Sequence, residues 1–285
     1  MSPLDCLAVG LTTVDVLALV DGPVREDEKI LSSATLLDGG GPAGTAACAM
    51  ARFGLRTGLL SFIGKDEWAP FVLGGLQRFG VSTRFVRQEA GLRTPLSLVL
   101  VNERNASRTI VWNSAGIGKQ RWPGPVPRTR CLHCDGHLME LSISLARRLK
   151  GARVSYDCGS VKPGWERLAA LSDVFIASHK FSRQLGWSIP RTVQRLRGRF
   201  GFEVAVTAGE NGVHYWDAGS GKVRLMRQRR YAAVDTTGCG DVFHGAFLAS
   251  YLKGKGFAES LAFGQRVAGL KTLKLGGRAG IPVRV

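Results

Sequence analysis

The chain of 285 residues lacks a long hydrophobic run. No segment reaches the ~18 uninterrupted apolar residues that suggest a membrane-spanning helix, so neither a transmembrane segment nor a membrane partner is predicted. The opening residues, MSPLD, carry an acid where a secretory signal carries positive charge, and Asp15 interrupts the apolar segment that follows. These features predict a cytoplasmic protein.

No block of five or six like charges occurs either, although 39 Lys and Arg stand against 22 Asp and Glu, a net charge of +17. Such an excess favours anionic partners such as nucleic acid, acidic membranes or phosphorylated metabolites. The basic residues are scattered, however, and aromatic residues do not alternate with them as on nucleic-acid-binding surfaces. A nucleic-acid-binding protein is therefore the rival interpretation, and the main prediction is an anionic small molecule as partner and no nucleic acid.

A second Cys-x-x-Cys pair is missing too. Cys131-Leu132-His133-Cys134 with His137 looks like part of a zinc site, but structural zinc needs four ligands. The alternative is a buried strand that ends at the Asp135-Gly136 turn, and this interpretation is preferred, with no metal ligands assigned. The six cysteines have irregular spacings and predict reduced thiols. No Walker A sequence is present, which excludes phosphate chemistry of the P-loop kind.

Short apolar segments alternate with helical patterns along the chain. This alternation predicts an α/β fold with a mostly parallel sheet that is covered by helices on both faces. Segments 96–102 and 109–113 flank a polar turn and predict a hairpin that breaks the rhythm, which suggests a small β appendage. We therefore predict a single domain over residues 1–285.

One glycine-rich segment leads directly into a helix predicted to start near Val242; it reads Asp235-Thr236-Thr237-Gly238-Cys239-Gly240-Asp241. Glycines at a helix entrance let backbone N–H groups converge on one point, where the helix dipole adds partial positive charge. The segment therefore predicts an anion-binding loop. Asp241 would repel a bound anion, but it could accept the proton of a hydroxyl that attacks a phosphoryl group. The competing interpretation is that Asp241 merely caps the helix.

A second glycine-rich segment precedes a helix of small residues near the N-terminus; it reads Asp38-Gly39-Gly40-Gly41-Pro42-Ala43-Gly44-Thr45. Its glycines permit either close approach of a ligand or tight helix packing. Gly39, Gly41 and Gly44 also match the dinucleotide-binding pattern, with Asp66 further along. That match is weak, because the segment before it does not look like a regular strand–turn–helix unit.

Taken together, the two segments resemble the signatures of the PfkB/ribokinase family of carbohydrate kinases, and the resemblance spans nearly the whole chain. Thr207-Ala208-Gly209-Glu210-Asn211-Gly212 resembles the family's nucleotide-site strand and turn, and segment 276–282 resembles its C-terminal loop. Within the family, segments 9–15, 108–111 and 263–269 look like the ketohexokinase branch. The Gly-Gly-Gly-Pro-Ala and Asp-Val-Phe-His-Gly-Ala stretches look like the sulfofructose kinase branch.

This resemblance implies a ribokinase-like three-layer αβα sandwich with a small β-sheet lid, formed by about residues 11–35 and 92–114. It implies that Asp241 is the general base, and that Arg108 reaches the γ-phosphate from the lid. The N–H groups of the anion hole would be those of Gly238, Cys239 and Gly240. The sugar pocket would be formed by Asp15, Gly40, Gly41, Thr45, Asn113 and Asp27, the last reaching into a partner subunit. The nucleotide would be bordered by Thr207, Gly209, Gly212 and Ala268.

The implied activity is transfer of the γ-phosphoryl of ATP, with Mg²⁺, to a sugar hydroxyl, and a ketohexose or related sugar is expected. A homodimer through the β lid is expected as well. Carbonyl groups near Asp235 and in segment 276–280 are candidates for holding a monovalent cation such as K⁺.

Three positions depart from the family's pattern. Thr45 and Pro42 replace polar residues of the sugar pocket, and the family's Asn-x-x-Glu stretch reads Ser178-His179-Lys180-Phe181. The missing carboxylate supports an alternative interpretation, a non-catalytic protein of the same fold that binds a sugar or a nucleotide.

Overall fold

The computed structural model describes residues 3–113 and 116–285. Within them, nine strands form one large sheet in the order β13-β12-β11-β10-β9-β8-β1-β4-β5. Neighbouring strands are parallel except at the β11–β12 and β12–β13 pairs. The strands are β1 (Leu4–Val9), β4 (Thr57–Gly64), β5 (Ser82–Glu89), β8 (Thr129–Cys134), β9 (Arg153–Cys158), β10 (Val174–Ser178), β11 (Glu203–Thr207), β12 (Val213–Asp217) and β13 (Lys222–Met226).

Helices cover both faces of this sheet, because the buried strands are apolar on both sides. One hydrophobic cluster lies under α1 (Pro42–Arg52), α2 (Ala69–Arg78), α7 (Cys239–Tyr251) and α8 (Phe257–Lys271). The cluster on the other face lies under α3 (Met139–Arg148), α4 (Trp165–Ala169), α5 (His179–Gln184) and α6 (Ile189–Phe200). The predicted three-layer αβα architecture is confirmed.

A second, four-stranded sheet lies beside the large one. It consists of β2 (Thr13–Val20), β3 (Ser32–Gly40), β6 (Leu96–Asn102) and β7 (Arg108–Asn113), in the order β3-β2-β6-β7. The β2–β6 pair is parallel and the other two pairs are antiparallel. Leu17, Val99 and Val101 form the small apolar core on its inner face. We call this element the small sheet.

Some elements differ from the sequence prediction. The hairpin at 96–113 is confirmed as β6 and β7, whereas β5, α3 and α5 were not predicted. Strand β3 spans nine residues, Ser32–Gly40, of which eight pair with residues of β2. Helix α1 therefore follows a strand of the small sheet, and that strand pairs with β2 in the antiparallel sense.

The cysteine–histidine segment forms the buried strand β8, as preferred from the sequence. Cys131 and Cys134 are three residues apart, so they point to opposite faces of the sheet and contribute to different hydrophobic clusters. They cannot share one metal ion. None of the helices in the described ranges is long and apolar enough to cross a membrane.

Candidate active site

The anion-binding loop, residues 235–240, leads into α7 earlier than the sequence suggested. The helix begins at Cys239 rather than near Val242, because Gly238, with φ 71°, makes the turn and accepts a 2.9 Å hydrogen bond from the Val242 N–H. Asp241 therefore lies in the first helical turn and does not cap the helix, and the capping interpretation is wrong. The first-turn N–H groups of this 13-residue helix point out of its N-terminus, where an anion is favoured.

The carboxyl group of Asp241 is half-buried and lies among other acids. Burial, and then the negative charge of Asp157, raise its pKa well above the usual range, and the positive charge of Arg108 partly opposes them. Asp135 and Asp15 raise the pKa further. No hydrogen bond to this carboxylate is found among residues 3–113 and 116–285. Asp241 is thus a carboxylate with an elevated pKa and without a hydrogen-bond partner in the described part of the chain, which suits a group that accepts a proton from a ligand.

The first glycine segment lies against β2 and the anion-binding loop. Asp15 in β2 is buried and accepts a 2.5 Å hydrogen bond from the Thr13 hydroxyl, and burial raises its pKa. A Cβ atom at Gly40 would lie 2.0 Å from Asp15 Oδ2, so a larger residue cannot fit beside this carboxylate. Gly41 caps α1, where a Cβ atom would meet the Leu11 carbonyl oxygen at 2.6 Å.

Thr45 in α1, the helix that follows the first glycine segment, lies close to the second glycine segment. It is buried, and its Cγ2 atom would lie 3.5 Å from a Cβ atom at Gly238. The structure therefore places Asp15, Gly40, Gly41 and Thr45 near one another and close to the loop that leads to Asp241.

The small sheet contacts the anion-binding loop through Arg108. The Arg108 Nη1 atom donates to Thr236 Oγ1 at 3.0 Å, and that hydroxyl donates to the Ala106 carbonyl oxygen at 2.8 Å. Arg108 is exposed and lies at the start of β7. The Arg108 guanidinium thus joins the small sheet to the loop, where its positive charge would favour an anion.

The predicted nucleotide residues lie on neighbouring elements next to the antiparallel end of the large sheet. Thr207 ends β11, its hydroxyl donating to the Ala177 carbonyl oxygen at 3.3 Å, and Gly209 follows in a short 3-10 helix with open space beside it. At Gly212 a Cβ atom would lie 2.1 Å from the Met226 carbonyl oxygen, so strand packing alone explains this glycine. Ala268 lies in α8 and packs against the apolar cluster under that helix.

Two of the predicted sugar-pocket residues are not brought to the others. Asn113 pairs with Leu96, and alternation along β7 places it on the face of the small sheet opposite Trp112. Trp112 lies on the inner face, where its ring meets His137 at 5.5 Å. Asp27 is exposed in the loop between β2 and β3, with φ 60°.

A buried polar cluster behind Asp241 was missed by sequence reasoning. His244, one turn after Asp241 in α7, places Nε2 3.2 Å from Asp157 Oδ1, and His133 packs beside it with ring centroids 5.6 Å apart. Burial, with the nearby His244, lowers the pKa of His133 to about 3, so that ring is neutral. One potential metal-ligating atom from each of the three residues lies within 4.8 Å of the others. Only their positions on β8, β9 and α7 reveal the cluster, since they are far apart in sequence.

The segment that departs from the family's Asn-x-x-Glu pattern has a structural role. Ser178 caps α5, accepting from the Lys180 N–H at 3.1 Å and donating to the Gly159 carbonyl oxygen at 2.8 Å. Phe181 is fully buried in an aromatic group with Trp165 and Phe175. A carboxylate in place of Phe181 would be buried among aromatic rings without a partner. The phenylalanine therefore contributes to core packing.

A buried arginine explains the spacing that suggested a dinucleotide site. Arg278 is 2% exposed, and its Nη2 atom donates to Thr12 Oγ1 at 2.7 Å and to the Gly40 carbonyl oxygen. Cβ atoms at Gly39 and Gly44 would come within 2.4 and 2.3 Å of its guanidinium nitrogens. These glycines make room for a side chain of the C-terminal loop, and nothing in this geometry requires a dinucleotide.

The chain forms an αβα sandwich with a small second sheet. A carboxylate with a raised pKa stands in the first turn of a helix whose N-terminus favours an anion, which is typical of a phosphotransferase of the ribokinase-like fold. The family model described as "pfkB family carbohydrate kinase" matches residues 4–284. The chain belongs to this family and is a carbohydrate kinase.

Individual relatives agree with this assignment. The chain is 25% identical to the ketohexokinase of Mus musculus, over 93% of this chain and 95% of the relative, and 22% identical to the ribokinase of Bacillus subtilis, over 97% and 95%. Among solved structures it is similar to a provisionally named ribokinase from Agrobacterium tumefaciens, with a TM-score of 0.90 and 27% identity over 99% and 95% of the two chains. An Arabidopsis thaliana ribokinase complexed with ribose and ATP has a TM-score of 0.81 and 21% identity over 99% and 96%, and shares the fold.

Proposed function

We propose that this protein transfers the γ-phosphoryl group of Mg-ATP to a hydroxyl of a ketohexose or a related sugar, with Asp241 as the general base. The observation that carries this proposal is the placement of Asp241. Its carboxylate has a raised pKa, has no protein hydrogen-bond partner in the described ranges, and stands in the first turn of a helix whose N–H groups can hold a phosphoryl group.

The reaction needs alignment and neutralised charge more than covalent help. Asp241 accepts the proton of the sugar hydroxyl while the hydroxyl oxygen forms a bond to the γ-phosphorus. The bond between that phosphorus and the β,γ-bridging oxygen breaks, and ADP is released. The N–H groups of Gly238, Cys239 and Gly240 bind the oxygens of the transferred group, and Arg108 adds positive charge from the lid. Magnesium enters with ATP, as part of the substrate.

The side chains beside Asp241 indicate what kind of sugar fits. Asp15 offers carboxylate oxygens to sugar hydroxyls, and Gly40 leaves the space beside it open. Thr45 offers a hydroxyl where ribokinase-like relatives carry an amide, so this position can donate one hydrogen bond to a sugar rather than two. The exposed positive charge attracts ATP and favours a sugar that itself carries an anionic group.

The function is tested by measuring ADP release from Mg-ATP with fructose, tagatose, sulfofructose, ribose, 2-keto-3-deoxygluconate, adenosine and inosine. We expect turnover with one sugar, and the same assay with Asp241→Asn as control shows whether that turnover belongs to this site. Turnover that survives the substitution would contradict Asp241 as the base. Turnover with a nucleoside alone would contradict the substrate class.

The alternative, a non-catalytic protein that binds sugar or nucleotide, is favoured by one observation. Phe181 occupies the position of the family's carboxylate in the core, so this site has one fewer group to orient magnesium. ATP binding in a calorimeter, together with no ADP release across the whole panel, would favour this alternative over the kinase.

We also propose that two copies associate through the outer face of the small sheet. Register places Leu37, Val16, Leu98 and Val111 in one row across its four strands. Leu98 is 49% exposed and Val111 is 64% exposed. An apolar row on an open sheet face is typical of a surface that pairs with a copy of itself. The exposed loop that carries Asp27 extends from the same sheet and can reach a partner's cleft.

Leu98→Glu is expected to convert a dimer into a monomer, because two buried carboxylates would face each other across a two-fold interface. Analytical ultracentrifugation of the wild type and the variant measures this directly. Gln194→Glu is the matched control, since Gln194 is exposed and already polar and lies on α6, away from the small sheet. A monomeric wild type, or a dimer that tolerates Leu98→Glu, would contradict the proposed interface.

We propose a cytoplasmic location as well, where ATP and magnesium are available. The six cysteines are all unpaired in the structure, as expected for a reducing compartment.

A further inference from the structure

Lys271, the last residue of α8, is a fully buried cation beneath the anion-binding loop. Its side chain is 0% exposed, as is that of Asp235, which opens the loop. The Lys271 Nζ atom donates to the Asp235 carbonyl oxygen at 2.9 Å and lies 3.3 Å from Asp235 Oδ2. An ammonium group in the interior persists only when such acceptors compensate its lost hydration.

The Asp235 carboxylate also accepts hydrogen bonds from the anion-binding loop and from the C-terminal loop. Its Oδ1 atom accepts from the Thr237 N–H at 2.7 Å, and its Oδ2 atom accepts from the Gly276 N–H at 2.8 Å. Burial alone would raise the pKa of Asp235, but the Lys271 charge and these hydrogen bonds outweigh burial and lower that pKa. The residue is therefore a carboxylate that joins the anion-binding loop to the C-terminal loop, and Lys271 neutralises it.

The positive charge of Lys271 also acts on Cys239, the first residue of α7. Burial raises the pKa of the Cys239 thiol, whereas the positive charge of Lys271 opposes that rise, so the ammonium acts electrostatically on the first residue of α7. A positive charge behind the N-terminus of this helix adds to the dipole that favours an anion in front of it.

The surroundings of the ammonium have the chemistry of a cation site. Carbonyl and carboxylate oxygens are the ligands that hard cations prefer. Here the Lys271 Nζ atom is within hydrogen-bond distance of both oxygens, so the residues do not fit a second cation in the same place. Gly280 leaves room for the lysine, since a Cβ atom there would lie 2.9 Å from Lys271 Cε.

We propose that Lys271 is a built-in cation that positions the anion-binding loop and makes the enzyme independent of monovalent cations. The lysine nitrogen takes the place that the sequence suggested for K⁺ between Asp235 and the C-terminal loop. Shortening Lys271 leaves a pocket lined by oxygens, which NH₄⁺ or K⁺ can fill. The rate readout of this proposal rests on the proposed kinase function, whereas its stability readout does not.

The experiment compares wild type, Lys271→Ala and Lys271→Met in tetramethylammonium chloride with added KCl, NH₄Cl or NaCl at constant ionic strength. Each protein is followed by kcat and by its thermal unfolding midpoint. Lys274→Ala is the matched control, because Lys274 is an exposed lysine of the same segment.

We expect the wild-type kcat and Tm to be the same in all four salts. Lys271→Ala should lose about 10²-fold in kcat, the effect of losing one preorganised electrostatic contact, and should regain much of it with K⁺ or NH₄⁺. Lys271→Met should lose as much without regaining it, because its side chain fills the pocket. A purely structural lysine would give a loss that no cation reverses.

Activation of the wild type by K⁺ would overturn the proposal, as would a Lys271→Ala variant that behaves identically in every salt. The measurements on the wild type require no variant. They therefore test independence from monovalent cations even if Lys271→Ala does not fold. If no sugar of the panel is phosphorylated, the proposed function fails, but the Tm measurements still test the role of Lys271. K⁺ or NH₄⁺ should then raise the Tm of Lys271→Ala alone, and a Tm of that variant independent of the cation would count against the proposal.

Discussion

Asp241→Asn should lower kcat by ~10²–10⁴ while ATP and sugar still bind, because the amide keeps the shape of the carboxylate but cannot accept a proton from the sugar hydroxyl. The measurement is steady-state kcat with the active sugar, together with ATP affinity by calorimetry. Asp173→Asn, the same exchange at an exposed position directly before β10, serves as control and should keep full activity. Near-normal turnover by Asp241→Asn would contradict its role as base.

The same substitution should raise stability at neutral pH. Burial and Asp157 raise the pKa of Asp241 in the fold, so the folded state favours its protonated form and loses stability as pH rises through that pKa. Asn carries no charge and avoids this loss. The Tm difference between Asp241→Asn and wild type should therefore be larger at pH 8 than at pH 5, and a difference of the opposite sign would contradict the raised pKa.

The raised pKa also predicts the pH dependence of the rate. The base must be ionised to accept a proton, so the acidic limb of the kcat/KM profile should lie above the range of an ordinary aspartate. Substituting Arg108 by Met removes an opposing positive charge, and the limb should then move to higher pH. A limb that stays in place would mean that Arg108 does not act on Asp241.

Gly238→Ala should reduce kcat by about 10²–10³-fold, the cost of misplacing an anion-hole donor. Gly238 has φ 71°, which an alanine adopts only with strain, and its Cβ atom would lie 3.0 Å from the Gly277 Cα atom. The turn would have to shift, and with it the N–H groups that begin α7. Steady-state kinetics with the active sugar measures the loss.

Gly254→Ala is the matched control for this effect. Gly254 also has a positive φ, 91°, but it follows the other end of α7 and its Cβ atom would meet nothing within 4 Å. The control should lose stability by about 1 kcal/mol, the ordinary cost of a left-handed alanine, and keep its kcat. Equal loss of kcat in both variants would show that the effect comes from destabilisation rather than from the anion hole.

Much of the candidate site could be predicted from the sequence, because each part depends on local chemistry. A glycine turn before a helix leaves first-turn N–H groups available to an anion, and Asp235-Thr236-Thr237-Gly238 is such a turn. Asp15 and Gly40, by contrast, were assigned together through the resemblance, and the structure supplies the reason for their pairing, the 2.0 Å approach of a Cβ atom to the carboxylate.

Other placements depend on more than local pattern. Asn113 was expected in the sugar pocket, but strand register decides the face of a residue, and a shift of one position exchanges the faces. The glycine spacing that suggested a dinucleotide site accommodates Arg278, which bonds to Gly40 across 238 positions of the chain. No pattern near residue 40 could reveal that partner.

The sequence by itself determined the αβα architecture, the glycine loop at the start of α7 and the acid that follows it, since hydrophobic alternation and turn chemistry are read within a few residues. Only the tertiary structure decided how those groups behave. The raised pKa of Asp241 comes from burial and then from the charge of Asp157, and the neutralised Asp235 depends on a lysine 36 residues away. Desolvation and Coulomb interactions depend on distances of a few ångströms in space, and the fold sets those distances.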